Sequence, residues 1–125
     1  ATHASKKGLF DELTPAGREW ASTLLSRSPE DVLSTGSSLL RKSITPEQLA
    51  GLIDNMSSAL GAPSSTEFIR AQYYESFNDM PESVTLYYLQ EYKDNQKAFM
   101  KVSFHQEEER WSVMGFGVEP YDNNN

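Results

Sequence analysis

The chain has 125 residues, a formal net charge of −7 and no cysteine. This length fits one domain that buries about two-thirds of the surface its unfolded form exposes. The negative charge repels phosphate backbones, and no cluster of Lys and Arg exceeds a pair, so we expect no nucleic-acid partner. The absence of cysteine excludes thiol catalysis, cysteine-bound zinc and disulfides. No apolar run approaches the ~18 residues of a membrane span, so we expect a soluble chain.

The first residues are small and basic, and we predict a flexible leader over residues 1–13. The chain begins at Ala1 rather than with Met. This start agrees with removal of an export signal, or with trimming of the chain to its ordered part, and we place export first. The expected location is therefore periplasmic or otherwise extracytoplasmic.

Three predicted helices follow, and each begins with a hydroxyl residue directly before a proline. The starts are Thr14-Pro15, Ser28-Pro29 and Thr45-Pro46. The second helix contains a glycine and several serines, so we expect it to bend or to end early. The third start is the strongest, because Gln48 completes a capping box and apolar residues recur at helical spacing until Gly61.

After residues 62–65 the pattern changes from helical to alternating, which predicts strands. The first strand runs from Thr66 to Phe77, and bulky residues on both faces predict a bulge in it. Residues 78–82 form a loop, and three more strands lie within 84–118. The predicted fold is α+β, with three amino-terminal helices packed on a four-stranded antiparallel β-meander. A single domain spans residues 14–120, and residues 121–125 form a frayed tail.

The register between the second and third strands depends on the loop that joins them. A two-residue loop sets Tyr87 opposite Val102, whereas a three-residue loop sets Leu86 opposite Phe104 and Tyr88 opposite Val102. We favour the three-residue loop, because a one-residue slip exchanges the faces of a strand and only this choice gives a coherent apolar side. That apolar face contains Val84, Leu86, Tyr88, Met100, Val102 and Phe104.

A few packing residues carry a resemblance to a known superfamily. They are Trp20 in the first helix, Leu60-Gly61 at the end of the helical half, and Trp111, Val113 and Gly115 after the acidic turn 107–109. With the order of elements, these residues resemble the cone-shaped nuclear-transport-factor-like or cystatin-like (SnoaL-type) superfamily, and within it a group of uncharacterised bacterial exported domains. The resemblance implies this fold and export. Catalytic members of the superfamily use a Tyr and acids around the cone, and we carry over no catalytic residue.

Crowded aromatic residues with polar tips are typical of a ligand pocket that holds an apolar body and contacts one polar group. Most of these aromatics form core, but a small-molecule cavity between the third helix and the sheet is an alternative. A Tyr hydroxyl there could polarise a carbonyl, although no partner base is evident, since Asp54 lies off the apolar stripe of its helix. The candidate pocket residues are Trp20, Met56, Tyr73, Tyr88, Met100 and Trp111.

The opposite face of the sheet is also rich in apolar residues. Either the leader and the stems of Lys side chains cover it, or a second copy of the chain packs there as a homodimer. His105 beside the acidic turn 107–109 could in principle hold a metal, but a solvated charged hairpin is the favoured interpretation, and we expect no metal and no cofactor. The candidate interface residues are Tyr87, Leu89, Phe99 and Phe116.

No cluster of residues in the sequence adds up to a reaction. The preferred interpretation is a small non-catalytic binding or protein-interaction module, exported, whose partner is a small apolar ligand or an envelope protein. The alternative is an isomerase-, hydratase- or cyclase-type enzyme that acts on a small apolar carbonyl compound in the cone. A structural accessory domain of an envelope assembly is a third interpretation.

Overall fold

A computed structural model of the chain describes residues 3–121. These residues form four α-helices followed by a four-stranded antiparallel sheet, so the predicted α+β arrangement with helices before the sheet is confirmed. The helices are α1 (His3–Thr23), α2 (Pro29–Ser34), α3 (Ser38–Ser43) and α4 (Pro46–Ala59), with a short 3-10 turn at Leu24–Ser26 after α1. The strands are β1 (Ser65–Tyr74), β2 (Ser83–Glu91), β3 (Lys97–Glu107) and β4 (Arg110–Pro120), in the spatial order β1-β2-β3-β4.

Helix α1 begins much earlier than the sequence pattern indicates. It starts at His3 and contains Pro15, so the predicted helix start at Thr14-Pro15 is wrong. Residues 3–13, predicted as leader, are helical, and Leu13 is buried while Leu9 and Phe10 pack against the core. Burial of this apolar stripe stabilises a helix that a central proline would otherwise interrupt. The remaining leader positions 1–2 and the tail positions 122–125 lie outside the described residues.

The predicted second helix is divided into α2 and α3 at Gly36. A Cβ on Gly36 would lie 3.1 Å from the Val113 carbonyl oxygen and would overlap the Leu40 side chain. The missing side chain therefore lets the backbone approach β4, where Ser37 N donates a hydrogen bond of 2.9 Å to Val113 O. The next helix, α4, has the predicted capping box at Thr45 and ends before Gly61, whose φ is 75°.

The register between β2 and β3 differs from both predicted loops. Leu86 lies opposite Val102 and Tyr88 lies opposite Met100, because residues 92–96 form a five-residue connection between the pair Glu91 and Lys97. The favoured register is therefore wrong by two residues. A slip of two leaves each side chain on its face, and all six residues of the predicted apolar face are buried.

Two bulges alter the faces of the edge strands. The predicted bulge in β1 is confirmed at Ile69, between the pairs that involve Phe68 and Arg70. In β4, Val113 pairs with Phe104 and Gly115 pairs with Ser103, which leaves Met114 as the extra residue. Because of this extra residue, Val113 and Phe116 both face the helices.

The core lies between α1, α2, α3, α4 and one face of the sheet. Leu24, Val32, Leu40, Leu49 and the central residues of β2 and β3 fill it. Within residues 3–121, no helix is both long enough and apolar enough to span a membrane.

Candidate functional site

Four of the six candidate pocket residues, Trp20 among them, are buried in the core. Met56 is 8% exposed, Met100 is 1% exposed and Tyr88 is fully buried. The Tyr88 hydroxyl donates a hydrogen bond of 2.7 Å to Thr14 O in α1. Burial raises the pKa of Tyr88 far above its ordinary value. This hydroxyl is therefore neutral and already bonded to backbone.

Tyr73 lies at the other end of the helix-facing side, close to the start of α1. Its hydroxyl donates to the Glu82 carboxylate, and the Lys6 ammonium lies 4.1 Å from the centre of its ring. The hydrogen bond to Glu82 is the main reason that the pKa of Tyr73 is raised to about 12. The pair is half-buried at the surface, so it joins α1 to the β1–β2 hairpin rather than facing Tyr88.

In the described part of the chain, the buried polar side chains are those of Ser37, Thr85, Gln90 and His105, and none is a carboxylic acid. The isomerase-type alternative requires an acid that faces a tyrosine across a cavity. The one buried tyrosine with a long-range hydrogen bond, Tyr88, faces a backbone carbonyl instead.

Trp20, which also belongs to the core, and Trp111 line one open groove. This aromatic groove has a volume of about 570 Å³ and lies between α1, α2 and the β3–β4 hairpin. Its rim is polar, because Arg27 Nε lies 2.8 Å from Asp31 Oδ2 and Glu19 lies nearby. Among the described residues, the buried Trp20 Nε1 has no hydrogen-bond partner. The groove combines an apolar wall with charges of both signs.

One of the four candidate interface residues was assigned to the wrong face. Phe116 packs on Trp20 with 5.1 Å between ring centroids, so it contacts the helix side of the sheet. The bulge at Met114 is the reason, since one extra residue exchanges the faces for every later position. Phe116 also borders an apolar groove of about 530 Å³ between α3, α4 and β4.

The other three candidates, Tyr87, Leu89 and Phe99, lie on the outer face and are half-buried. The Arg70 guanidinium lies 3.8 Å from the centre of the Tyr87 ring, and the Tyr121 ring lies 5.5 Å from that of Phe99. Cationic and aromatic neighbours thus cover part of this face. The helix α1, which contains most of the predicted leader, packs on the opposite side.

The outer face contains a groove of about 390 Å³, which we call the outer groove. Its floor consists of small residues, since Thr85, Ser103 and Gly115 lie side by side on β2, β3 and β4. A Cβ at Gly115 would meet no atom within 4 Å, so the floor is open there. Larger side chains border the groove: Tyr74, Met80, Tyr87, Lys101 and Met114.

Large exposed apolar side chains lie next to the outer groove, in the β1–β2 loop and at the end of β1. Phe77 is 73% exposed, Met80 is 59% exposed and Tyr74 is 43% exposed. Sequence reasoning assigned residues 78–82 to a loop and did not select Phe77 or Met80. The available signal was two large apolar residues on either side of an Asn-Asp turn.

The acidic hairpin has a structural role that the sequence did not reveal. The Glu107 carboxylate accepts from Ser38 N at 3.0 Å and also bonds the Ser38 hydroxyl, so it caps α3 from another element. These bonds lower the pKa of Glu107. His105, expected at a solvated strand end, is 5% exposed, and its Nε2 has no partner among the described side chains, those of residues 6–121. In the same described range, no group of three His, Asp or Glu residues could hold a metal ion.

Residues 16–116 match the family described as "Protein of unknown function (DUF4019)". The chain belongs to the DUF4019 family. The DUF4019 match starts within α1 and ends within β4, so it includes both walls of the aromatic groove and the floor of the outer groove. No curated protein matches the chain. No solved structure matches it either.

Proposed function

We propose that this DUF4019 chain is a non-catalytic protein-interaction module that binds a segment of another protein in the outer groove. The observation that carries the proposal is that the exposed side chains of Tyr74 and Met80 border this groove and that Phe77, also exposed, is bonded to Met80 across the turn. Contiguous exposed apolar surface is a feature of protein-binding sites. The open floor at Gly115 leaves room for a bound segment.

A second copy of the chain is a weaker candidate for the partner. Each copy has a net charge of −7, and like charges of this size oppose association of two copies. A homodimer through Tyr87, Leu89 and Phe99 would have to offset this repulsion by burying apolar surface. These half-buried residues offer too little of it. We therefore favour a different protein, and a sizing measurement on the purified chain distinguishes the two.

We also propose that the chain belongs to the cone-shaped nuclear-transport-factor-like or cystatin-like superfamily and that it acts outside the cytoplasm, on an envelope protein. The order of helices and sheet supports the superfamily assignment. Export rests on the resemblance alone. Fractionation of the cells that make the protein tests it, and recovery of the chain from the cytoplasm would contradict it.

Gly115→Leu tests the binding site, because a Cβ at this position meets no atom within 4 Å and the longer side chain would occupy the outer groove. Gly51→Leu is the matched control, since a Cβ at this position of α4 also meets nothing within 4 Å. Both variants are expected to fold. In a native pull-down from the source cells, G115L should lose a bound protein that the wild type and G51L retain. Equal recovery by all three proteins would refute the proposal.

The aromatic groove favours a second candidate function, the binding of a small apolar molecule. Trp20 and Trp111 form its wall, and the acids Glu19 and Asp31 lie at its rim. A melting screen with small aromatic and aliphatic ketones tests this function. A ligand of the groove should raise the melting temperature of the wild type and of G115L, but not of Trp111→Ala.

A further inference from the structure

The β1–β2 loop ends in a tight turn that holds two apolar side chains in place. Phe77 N donates a hydrogen bond of 3.1 Å to Met80 O, and Met80 N donates one of 2.9 Å to Phe77 O. Asn78, the first central residue of the turn, has a φ of 55°. Residues that face each other across an antiparallel bridge direct their side chains to the same side. We call Phe77 and Met80 the tip pair.

The tip pair is not required by the core of the domain. Phe77 is 73% exposed and Met80 is 59% exposed, so both retain most of their surface for another contact. Their mutual hydrogen bonds hold the turn before any partner arrives, which lowers the entropy lost on binding. An exposed aromatic residue on a pre-formed turn is typical of the few residues that dominate the energy of an interface.

The surroundings of the tip pair are acidic. Asp79 is the second central residue of the turn, and Glu75 and Glu82 lie on either side of the loop. Glu82 lies 3.9 Å from Lys6. Among the side chains of residues 6–121, which the structure describes, no ion pair includes Glu75 or Asp79. The carboxylates of Glu75 and Asp79 therefore lie beside the tip pair without a cationic partner among the described side chains.

This arrangement favours a protein over a lipid bilayer as the partner. In a hairpin, the central turn residues Asn78 and Asp79 lie at the extremity, so they would enter a bilayer first. A carboxylate in hydrocarbon is costly, and anionic lipid headgroups would repel the acidic loop. A protein pocket can take the side chains of the tip pair from one side and leave Asp79 at its edge.

We infer that Phe77 and Met80 insert into an apolar pocket of a partner protein, and that Lys or Arg residues at the edge of this pocket contact Asp79 and Glu75. The inference rests on the proposed function and names the chemistry of the partner. The apolar pair supplies the affinity, whereas the acids supply salt-dependent selectivity for a basic surface.

The test uses the full chain and the double variant F77S/M80S, with I69S as matched control. Ile69 is also an exposed apolar residue of this hairpin, at 43%, but it lies on β1 away from the turn. All three proteins are used in native pull-downs from source cells. We identify and purify any protein that the wild type and I69S recover but F77S/M80S does not. The affinity of the purified partner is then measured by calorimetry at low and at high salt.

We expect F77S/M80S to weaken this affinity at least about 30-fold, and I69S to leave it within about twofold. Asp79→Lys should weaken binding at low salt, and the difference should shrink at high salt. The inference would be overturned if every recovered protein still bound F77S/M80S, or if no protein were recovered. It would also be overturned if D79K bound the partner as tightly as the wild type or more tightly. Binding of the wild type, but not of F77S/M80S, to phosphatidylglycerol or phosphatidylcholine vesicles would overturn it too, because the surface would then be a membrane contact.

The variants also separate this inference from the proposed function. If G115L loses the partner and F77S/M80S retains it, the outer groove binds and the inference on the tip pair fails. If F77S/M80S loses the partner and G115L retains it, the tip pair binds and the assignment to the outer groove fails.

Discussion

The contact between Gly17 of α1 and Tyr88 of β2 supplies the sharpest test of how the helix packs on the sheet. A Cβ at Gly17 would lie 3.0 Å from Leu86 Cδ1, 3.1 Å from Tyr88 Cζ and closer still to the Tyr88 hydroxyl oxygen. Real Cβ contacts under 3.0 Å are essentially absent from proteins. Gly17→Ala must therefore displace Tyr88, whose hydroxyl bonds Thr14 O.

Three effects set the size of the change in the free energy of unfolding. Overpacking of a filled core costs about 1–3 kcal/mol. Loss of the hydrogen bond from the buried Tyr88 hydroxyl costs about 1–3 kcal/mol more. Alanine gains about 1 kcal/mol over glycine within a helix. The net expectation for G17A is a destabilisation of about 1–5 kcal/mol, which most domains of this size can survive.

Urea denaturation followed by circular dichroism measures the effect. Gly51→Ala is the control, because a Cβ at this position of α4 meets nothing and the variant should gain about 0.5–1 kcal/mol. Tyr88→Phe removes the atom nearest to the new Cβ, so G17A/Y88F should lose less stability than the sum of the single variants. If G17A gains stability as G51A does, the close packing of α1 on Tyr88 is refuted.

Three further predictions concern hydrogen bonds between elements. Glu107→Gln should lower the urea midpoint at pH 7 relative to wild type, because the hydrogen bonds from Ser38 lower the pKa of Glu107 and its carboxylate stabilises the fold above the ordinary pKa of 4.5. The difference between the two proteins should disappear as the pH falls through the pKa of Glu107 in the folded state. Gln90→Leu should cost about 1–3 kcal/mol in the same assay, since it leaves buried groups without partners, and an unchanged midpoint would contradict this. Glu82→Gln should return the pKa of Tyr73 from about 12 towards 10, as measured by phenolate absorbance, and an unchanged titration would remove the assigned bond.

The faces of the central strands could be predicted from the sequence, but their register could not. Leu86 and Tyr88 were assigned to the buried side and are there, although each is paired two residues away from the favoured position. Alternation of apolar and polar residues has a period of two, so burial defines register only to a multiple of two. The five-residue connection 92–96 sets the absolute register through Asp94 and Asn95, both at positive φ.

The candidate site could be predicted only in part. Trp20 and Trp111 do line one groove, whereas Tyr88 and Met100 are core residues. An aromatic residue with a polar tip has the same sequence signature in a pocket and in a core with one internal hydrogen bond. Phe116 was assigned to the outer face because a bulge at Met114 has no reliable signal in a single sequence.

Helix α1 shows that local sequence patterns also have limited power to predict where a helix begins. A Thr-Pro pair is a common helix start, yet Pro15 lies inside α1 because Leu13 is buried and earlier apolar residues pack on the core. Local preference predicted the start of α4 correctly, where the capping box at Thr45 uses only nearby residues.

The sequence by itself determined the fold class, the order of helices and sheet, and which residues of β2 and β3 are buried, since these depend on local periodicity and on caps. Tertiary structure alone decided the extent of α1, the register of the central pair, the cap on α3 by Glu107, and the exposure of Phe77 and Met80. The first three depend on contacts between residues far apart in the chain. The exposure of Phe77 and Met80 depends on the fact that the other described elements leave both side chains largely uncovered. An apolar residue in a sequence indicates burial, and only packing shows which apolar residues the core leaves free for a partner.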